Sequence, residues 1–354
     1  MDRIKVRQIC FYFIAMMPVA KLLVYPATLT YNSGNDLIAS ALISCIAEGA
    51  IVALVMLLAK KTGKSLFKLA EGTFGKIAAK IIYALFALFF FASSLLPMLE
   101  QKNFVLQMMY ENVPSIISFA PFFFVCFFAA SKGFKSIGRM ADIALPIFVI
   151  GYAVLMLLAL PETDFSALLP LRGVPLKNVL KGSLFSANWY TEAAFLLFFL
   201  GHFEYEKRAS VKVLCSYATG SLAVLFFLAV FYGVFSSIAI RQNNAVAQIS
   251  KYTASFTSLG RMDYLFIFAI ALVMIFRLCV PVQMCVHCVC KTLGCKPLIP
   301  SAVINVLLLA LTIFFNYSFL ELQTLFTQKL WFIFALFAYL LPAAALLLKR
   351  RERT

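Results

Sequence analysis

The chain has 354 residues, 63% of them hydrophobic and 13% charged, with a mean hydropathy of +0.94. A soluble globular domain carries more charge and fewer long apolar runs, so the composition leaves an all-α polytopic membrane protein. The net charge of +16 sits in alternate loops, which is a topology signal and excludes a nucleic-acid partner.

Segments of about 20 apolar residues cross a bilayer. Ten transmembrane helices are predicted, near 9–31, 36–58, 77–100, 114–131, 140–161, 182–203, 213–239, 263–290, 298–316 and 326–348. With both termini cytoplasmic, the inner segments hold about 20 of the 31 basic residues against about 8 outside, the bias that orients such proteins. The first span follows Arg3, Lys5 and Arg7 but lacks a small-residue cleavage site, so it reads as retained rather than as a signal peptide. Most of the nine cysteines lie in apolar runs, where Cys acts as a small hydrophobe rather than as a disulfide partner.

Span 1, Phe11 to Pro26, reads FYFIAMMPVAKLLVYP. Pro18 cannot donate a backbone hydrogen bond at its centre, and Lys21 puts an ammonium where a charge costs about 3 kcal/mol or more. Such a segment persists when broken backbone and charge both face a buried cavity. Two outer loops follow later in the chain. Glu162–Lys181 has the pattern of a short interfacial helix, and Arg241–Met262 contains a candidate lid, QISKYTASFTSLGRM. No linker or low-complexity segment interrupts 1–354, so a single transmembrane domain is expected.

Span 6 mirrors span 1. Its centre, Ser186 to Glu192, is polar, and the apolar stretch Ala193 to Leu200 covers only about 12 Å as helix, half a membrane. Interrupted spans at matching places in two halves of five point to an inverted repeat, here about 9–161 and about 182–348, with a site between broken helices 1 and 6.

Four ionisable residues fall near mid-membrane: Lys21, Glu48 (span 2), Glu192 (span 6) and Arg277 (span 8). Buried charges persist mainly as pairs, so Lys21 is expected to pair with Glu192 or Glu48 until a ligand carboxylate competes for it. The same charges can equally be fixed ion pairs that hold helices together. Amides freed around Val19, Ala20, Lys21 and around Ala187, Asn188, Trp189 can donate to that carboxylate. Asn188, Tyr190 and Thr191 add polar side chains, and Trp189 can close over an apolar substituent or a cation. Trp189 and Tyr190 can equally be packing residues, and Ser93 and Ser94 of span 3 are candidate lining residues unless they bond back to their own helix.

Other patterns fail on spacing. Cys285, His287, Cys288 and Cys290 resemble a metal cluster, but on a helix Cys290 points away from Cys285 and Cys288. Gly63-Lys64-Ser65 lacks the earlier glycine of a phosphate loop, and His202 reads as an interfacial residue. No catalytic set, metal site or cofactor motif is predicted, so the chain does not read as an enzyme.

The order of elements resembles the spore germination permease family, the B-type membrane subunits of nutrient germinant receptors. The likeness rests on KVRQICFYF…KLLVYPATLTYNSGNDLI, on KKTGKSLFKLAEGTFGKIAAKII, on DFSALLPLRGVPLKNVLKGS before span 6, on Glu192, and on RLCVPVQMCVHCVCKTLGC. The resemblance implies the amino acid–polyamine–organocation superfamily, with its ten-helix, five-plus-five inverted repeat (LeuT-like). It also implies A-type and C-type receptor subunits as partners, the spore inner membrane as location, and a small nutrient, most often an amino acid, as ligand. The chain departs from the family at Pro18–Lys21, which replaces a small, glycine-containing break. Three readings follow: a germinant-sensing subunit, a stand-alone proton- or cation-coupled amino-acid transporter, and a membrane scaffold without a ligand.

Overall fold

The structure, a computed structural model, describes residues 4–109, 115–170, 173–203, 205–252, 263–315 and 318–345. The first helix, α1 (Val6–Val19), carries a π turn at Tyr12–Met16 and stops just after Pro18. Residues 20–24 are unwound, and α2 (Tyr25–Ser33) resumes with Pro26 in its first turn, where a missing N–H costs nothing. Gly34, at φ +51°, ends α2 and leads through a short 3-10 turn into α3 (Leu37–Thr62).

The long helices follow: an amphipathic α4 (Leu66–Phe74), then α5 (Lys76–Met109), α6 (Ser115–Ser131) and α7 (Phe134–Ala159). The second half repeats the plan. Helix α8 (Leu176–Phe185) and α9 (Glu192–Phe199) are separated by a short non-α stretch. They are followed by α10 (Ala209–Phe235), α11 (Ala245–Tyr252), α12 (Asp263–Leu293) and α13 (Leu298–Phe314). The last pass is α14 (Phe319–Lys329), which ends in a π turn at Leu325–Lys329, and α15 (Trp331–Ala345), the two being separated at Leu330.

Among the described residues, Tyr25–Thr62, Lys76–Val105, Phe134–Glu162, Ala209–Arg241 and Phe268–Leu293 are helical runs long and apolar enough to cross a bilayer unaided. The remaining passes are short or broken, and grouping α1 with α2 and α8 with α9 is compatible with ten. The sixth pass starts at Leu176 rather than at 182. Lys177 and Lys181 give that turn the look of a loop, yet its other face is covered: Val179 and Gly182 are buried, and Ser40 donates to the Val179 carbonyl at 2.8 Å. The expected interfacial helix within Glu162–Lys181 is therefore mostly the first half of span 6, preceded by 3-10 turns at Leu160–Glu162 and Phe165–Leu168. Of the candidate lid, residues 253–262 lie outside the described residues, and the part before them is α11.

Helix α12 packs along α5 and α7, while the π turn of α1 is cradled by α7 and α10. At one end of the bundle the Ile4 N–H donates to the His202 carbonyl at 2.8 Å, joining the approach to α1 with the exit from α9. Gln8 of α1 donates to Asp142 of α7 at 2.6 Å. Gly220 of α10 touches the π turn so closely that an added Cβ would lie 2.2 Å from the Phe13 carbonyl oxygen. Gly220→Val is therefore expected to lower stability by about 1–3 kcal/mol, read as a lower unfolding temperature of the detergent-solubilised protein. An unchanged temperature would show that α1 is not wedged there.

Candidate functional site

The two breaks meet in the middle of the bundle, and each takes its shape from local hydrogen bonds. In the first, Lys21 N–H donates to the Pro18 carbonyl at 2.7 Å and Leu22 N–H to Val19 at 3.2 Å. The carbonyls of Leu22 and Leu23 accept from Val246 (3.3 Å) and Ala245 (3.0 Å) at the start of α11. A loop helix of the second half thus supplies the donors that unwinding took away, as buried backbone requires. In the second break, Trp189 N–H donates to Ser186 at 3.0 Å and Tyr190 N–H to Ala187 at 3.2 Å.

Several amides at the breaks are spent. Those of Lys21, Trp189 and Tyr190 close tight turns, and the one at the start of α9 is taken by a side chain: Glu192 N–H donates to Glu48 Oε1 at 2.7 Å. The positive end of α9 thus holds a carboxylate that comes from α3.

All four mid-membrane charges are buried and fall into two pairs. Arg277 donates to Glu192 Oε1 at 2.7 Å, with its guanidinium carbon 4.8 Å from the centre of the Phe195 ring, and Tyr12 donates to Glu192 Oε2. The Arg277 Nε of that pair has no acceptor. Lys21 stands 3.9 Å from Glu48 Oε2, and the Tyr217 hydroxyl, which donates to the Cys45 carbonyl at 2.9 Å, shares its proton with the same carboxylate oxygen at 3.2 Å. The Lys21 ammonium lies 4.5 Å from the centre of the Tyr190 ring, yet Nζ has no hydrogen-bond acceptor. Its carboxylate partner is Glu48 and not Glu192.

The other candidates divide. Val19, Ala187, Trp189 and Thr191 are buried, Ala20 and Asn188 half-buried, all at the breaks. Trp189 packs against Tyr25 with ring centres 5.4 Å apart and its indole stands beside the buried Glu100, while the Asn188 Oδ1 lacks a partner. Ser93 and Ser94 donate to the Phe89 and Phe90 carbonyls of their own helix, at 2.8 and 2.7 Å, which leaves neither hydroxyl proton for a ligand. Of the failed motifs, Cys285 donates to the Ala87 carbonyl at 3.3 Å and His287 packs on Phe134 at 4.7 Å.

Sequence reading missed the tyrosines. Tyr12, Tyr25 and Tyr217 are spread over three helices, and only their placement beside a charge or a ring marks them. It also missed Glu100, Gln101 and Lys102, buried in α5. The third span was ended at 100, although the apolar FVLQMM after Lys102 was the signal that the helix runs on to Met109.

Residues 3–321 match the family described as "Spore germination protein". The chain belongs to this family. A 79-residue stretch is 33% identical to spore germination protein XB of Bacillus anthracis and covers 22% of each chain. The fold is that of LeuT-like transporters, as likeness to solved structures shows. Mhp1, a nucleobase-cation-symport-1 family transporter with bromovinylhydantoin bound, matches with a TM-score of 0.63 at 14% identity over 94% of this chain and 78% of its own. MhsT in complex with L-phenylalanine matches with a TM-score of 0.62 at 11% identity over 96% and 98%. A manganese transporter of Eremococcus coleocola matches with a TM-score of 0.64 at 11% identity over 96% and 77%.

In this family member the Arg277–Glu192 bond joins α12 to α9 across the broken pass. Removing one partner of a buried pair strands the other charge, so Arg277→Met is expected to cost about 3–5 kcal/mol. Combining it with Glu192→Gln recovers part of that loss, because no bare ion remains. Thermal unfolding of the three variants checks this, and equal loss in the single and double variants would deny the pairing.

Proposed function

We propose that the chain is the membrane subunit of a spore nutrient germinant receptor that binds an amino acid between its two broken helices. The observation that supports this reading is the unequal state of the Lys21–Glu48 pair. Glu48 has an amide, a phenol and an ammonium around it, whereas the hydrogen-bond donors of Lys21 are unspent. Lys21, the first amide of α9 and Tyr217 form a carboxylate cradle, and Glu48 lies in it as an internal stand-in for a ligand's carboxylate. A free amino acid can compete for that cradle and turn toward Asn188, Trp189 and Thr191, whose neighbourhood holds the unpartnered Asn188 Oδ1. Binding by MhsT of L-phenylalanine in the same fold agrees with this ligand class.

In this reading both termini are cytoplasmic, the protein sits in the spore inner membrane, and A-type and C-type subunits receive the signal. A ligand moves such an equilibrium only through its different affinity for the two states. Here that difference comes from which carboxylate Lys21 holds.

A thermal-shift screen of amino acids on the detergent-solubilised chain is the test. A true ligand at a hundred times its Kd stabilises by about 2.7 kcal/mol. Lys21→Met is expected to abolish the shift, and Glu48→Gln to strengthen it by removing the competing charge. Binding that survives Lys21→Met and Glu192→Gln unchanged would defeat the assignment.

A second reading, uptake by the chain alone, is favoured by the likeness of nearly the whole bundle to solved transporters. Accumulation of the amino acid by liposomes holding only this protein would support it. Signalling that needs the partner subunits, without accumulation, supports the receptor.

A further inference from the structure

Helix α12 ends in a turn that folds the chain back on itself. Gly294, at φ +74°, follows the last helical residue, Leu293, and its N–H donates to the Cys290 carbonyl at 2.8 Å. Glycine takes up that left-handed backbone without a steric penalty. In a helix cap of this kind the residue after the glycine packs back on the one whose carbonyl accepts, a turn earlier. Here those two residues are Cys295 and Cys290, and their thiols face each other.

This pair differs from the other cysteines of the helix. Cys285 and Cys288 are buried, whereas Cys290 is half-buried and Cys295 is exposed. Cys215, which is also exposed, lies on α10. The pair stands at the end of the bundle where the two histidines meet. His287, a turn before Cys290, packs with its ring centre 5.3 Å from that of His202, whose carbonyl holds Ile4. Helix α12 carries Arg277, the partner of Glu192, so a change at its end reaches the helix that pins the second break.

We propose that Cys290 and Cys295 form a redox-sensitive dithiol, which a peroxide closes to a disulfide and a thiol reductant reopens. In the first step the thiolate of the exposed Cys295 attacks the peroxide O–O bond. Sulfur keeps one oxygen as sulfenic acid, and the other leaves as hydroxide and takes up the thiol's proton as water. In the second step the Cys290 sulfur attacks the Cys295 sulfur. The S–S bond forms, the S–O bond breaks, and the hydroxide leaves with the Cys290 proton as a second water. The two thiols together give up two electrons, and the peroxide takes them. The bridge ties the cap across Gly294 and stiffens the link to α13, which begins at Leu298.

The test treats the intact, detergent-solubilised protein with hydrogen peroxide, blocks the remaining thiols by alkylation and digests the chain with trypsin. Trypsin cuts after Lys291, between the two cysteines. The expected product is a disulfide-linked pair of peptides holding Cys290 and Cys295, which dithiothreitol separates. Cys290→Ser and Cys295→Ser are each expected to abolish it, and Cys215→Ser to leave it unchanged. A second measurement needs no variant. Phenylarsine oxide, which bridges neighbouring thiols, is expected to protect both Cys290 and Cys295 of the untreated protein from alkylation while Cys215 is still labelled. Oxidation of Cys295 to sulfinic acid without a linked pair, a Cys295 linkage to another cysteine of the chain that survives Cys290→Ser, or alkylation of both thiols in the presence of the arsenical would each overturn the proposal.

Discussion

One carboxylate holds the two halves of the molecule together at their weakest point. Glu48 reaches from α3 to the first amide of α9 at 2.7 Å, to Tyr217 of α10 at 3.2 Å and to Lys21 in the break of α1 at 3.9 Å. Two opposite charges near 4 Å attract by about 4 kcal/mol at an effective dielectric constant of about 20. Burying each ion costs several kcal/mol, so attraction alone does not cover the cost. The carboxylate makes up the difference with hydrogen bonds. The ammonium has only the face of Tyr190, a contact worth about 2 kcal/mol when desolvated. The pair is thus well bonded on its acidic side and under-satisfied on its basic side.

The second pair behaves differently. Arg277 and Glu192 are joined at 2.7 Å, and the remaining oxygen of Glu192 is taken by Tyr12. Glu192 therefore serves two pairs at once: its side chain ties α9 to α12 and α1, and its backbone amide holds Glu48. Of the four mid-membrane charges, the two acids are closely held, Arg277 bonds through one nitrogen while its Nε has no acceptor, and Lys21 Nζ has no acceptor at all. Arg277 and Glu192 form one ion pair, and Lys21 and Glu48 form the other.

The broken passes were legible in the sequence because a bilayer punishes what they contain. Pro18 and Lys21 in one span, and SANWYTE before only eight apolar residues in the other, have no place in a plain transmembrane helix, and both breaks lie there. The four charges stood out for the same reason. What the sequence did not reveal is what the chain does about the breaks. The pairing of the Leu22 and Leu23 carbonyls with α11 joins residues from opposite halves of the chain, and no local pattern announces it. Tyrosines are ordinary at any depth, so Tyr12 and Tyr217 acquire a role only through what stands beside them. Helix starts blurred where lysines line an exposed face, as Lys177 and Lys181 did at the head of α8.

The aromatic layer of Tyr25, Trp189 and Tyr190 stands between the buried charges and an uncharged cavity beside α2. Whether the interior recognises a carboxylate is the direct question. Competition between a bound labelled amino acid and its own carboxamide, at equal concentrations on the purified protein, answers it. If Lys21 and the amide of α9 hold the carboxylate, the carboxamide displaces less than a tenth as well as the unlabelled acid. Equal displacement by the two would show that the carboxylate is not what the site holds.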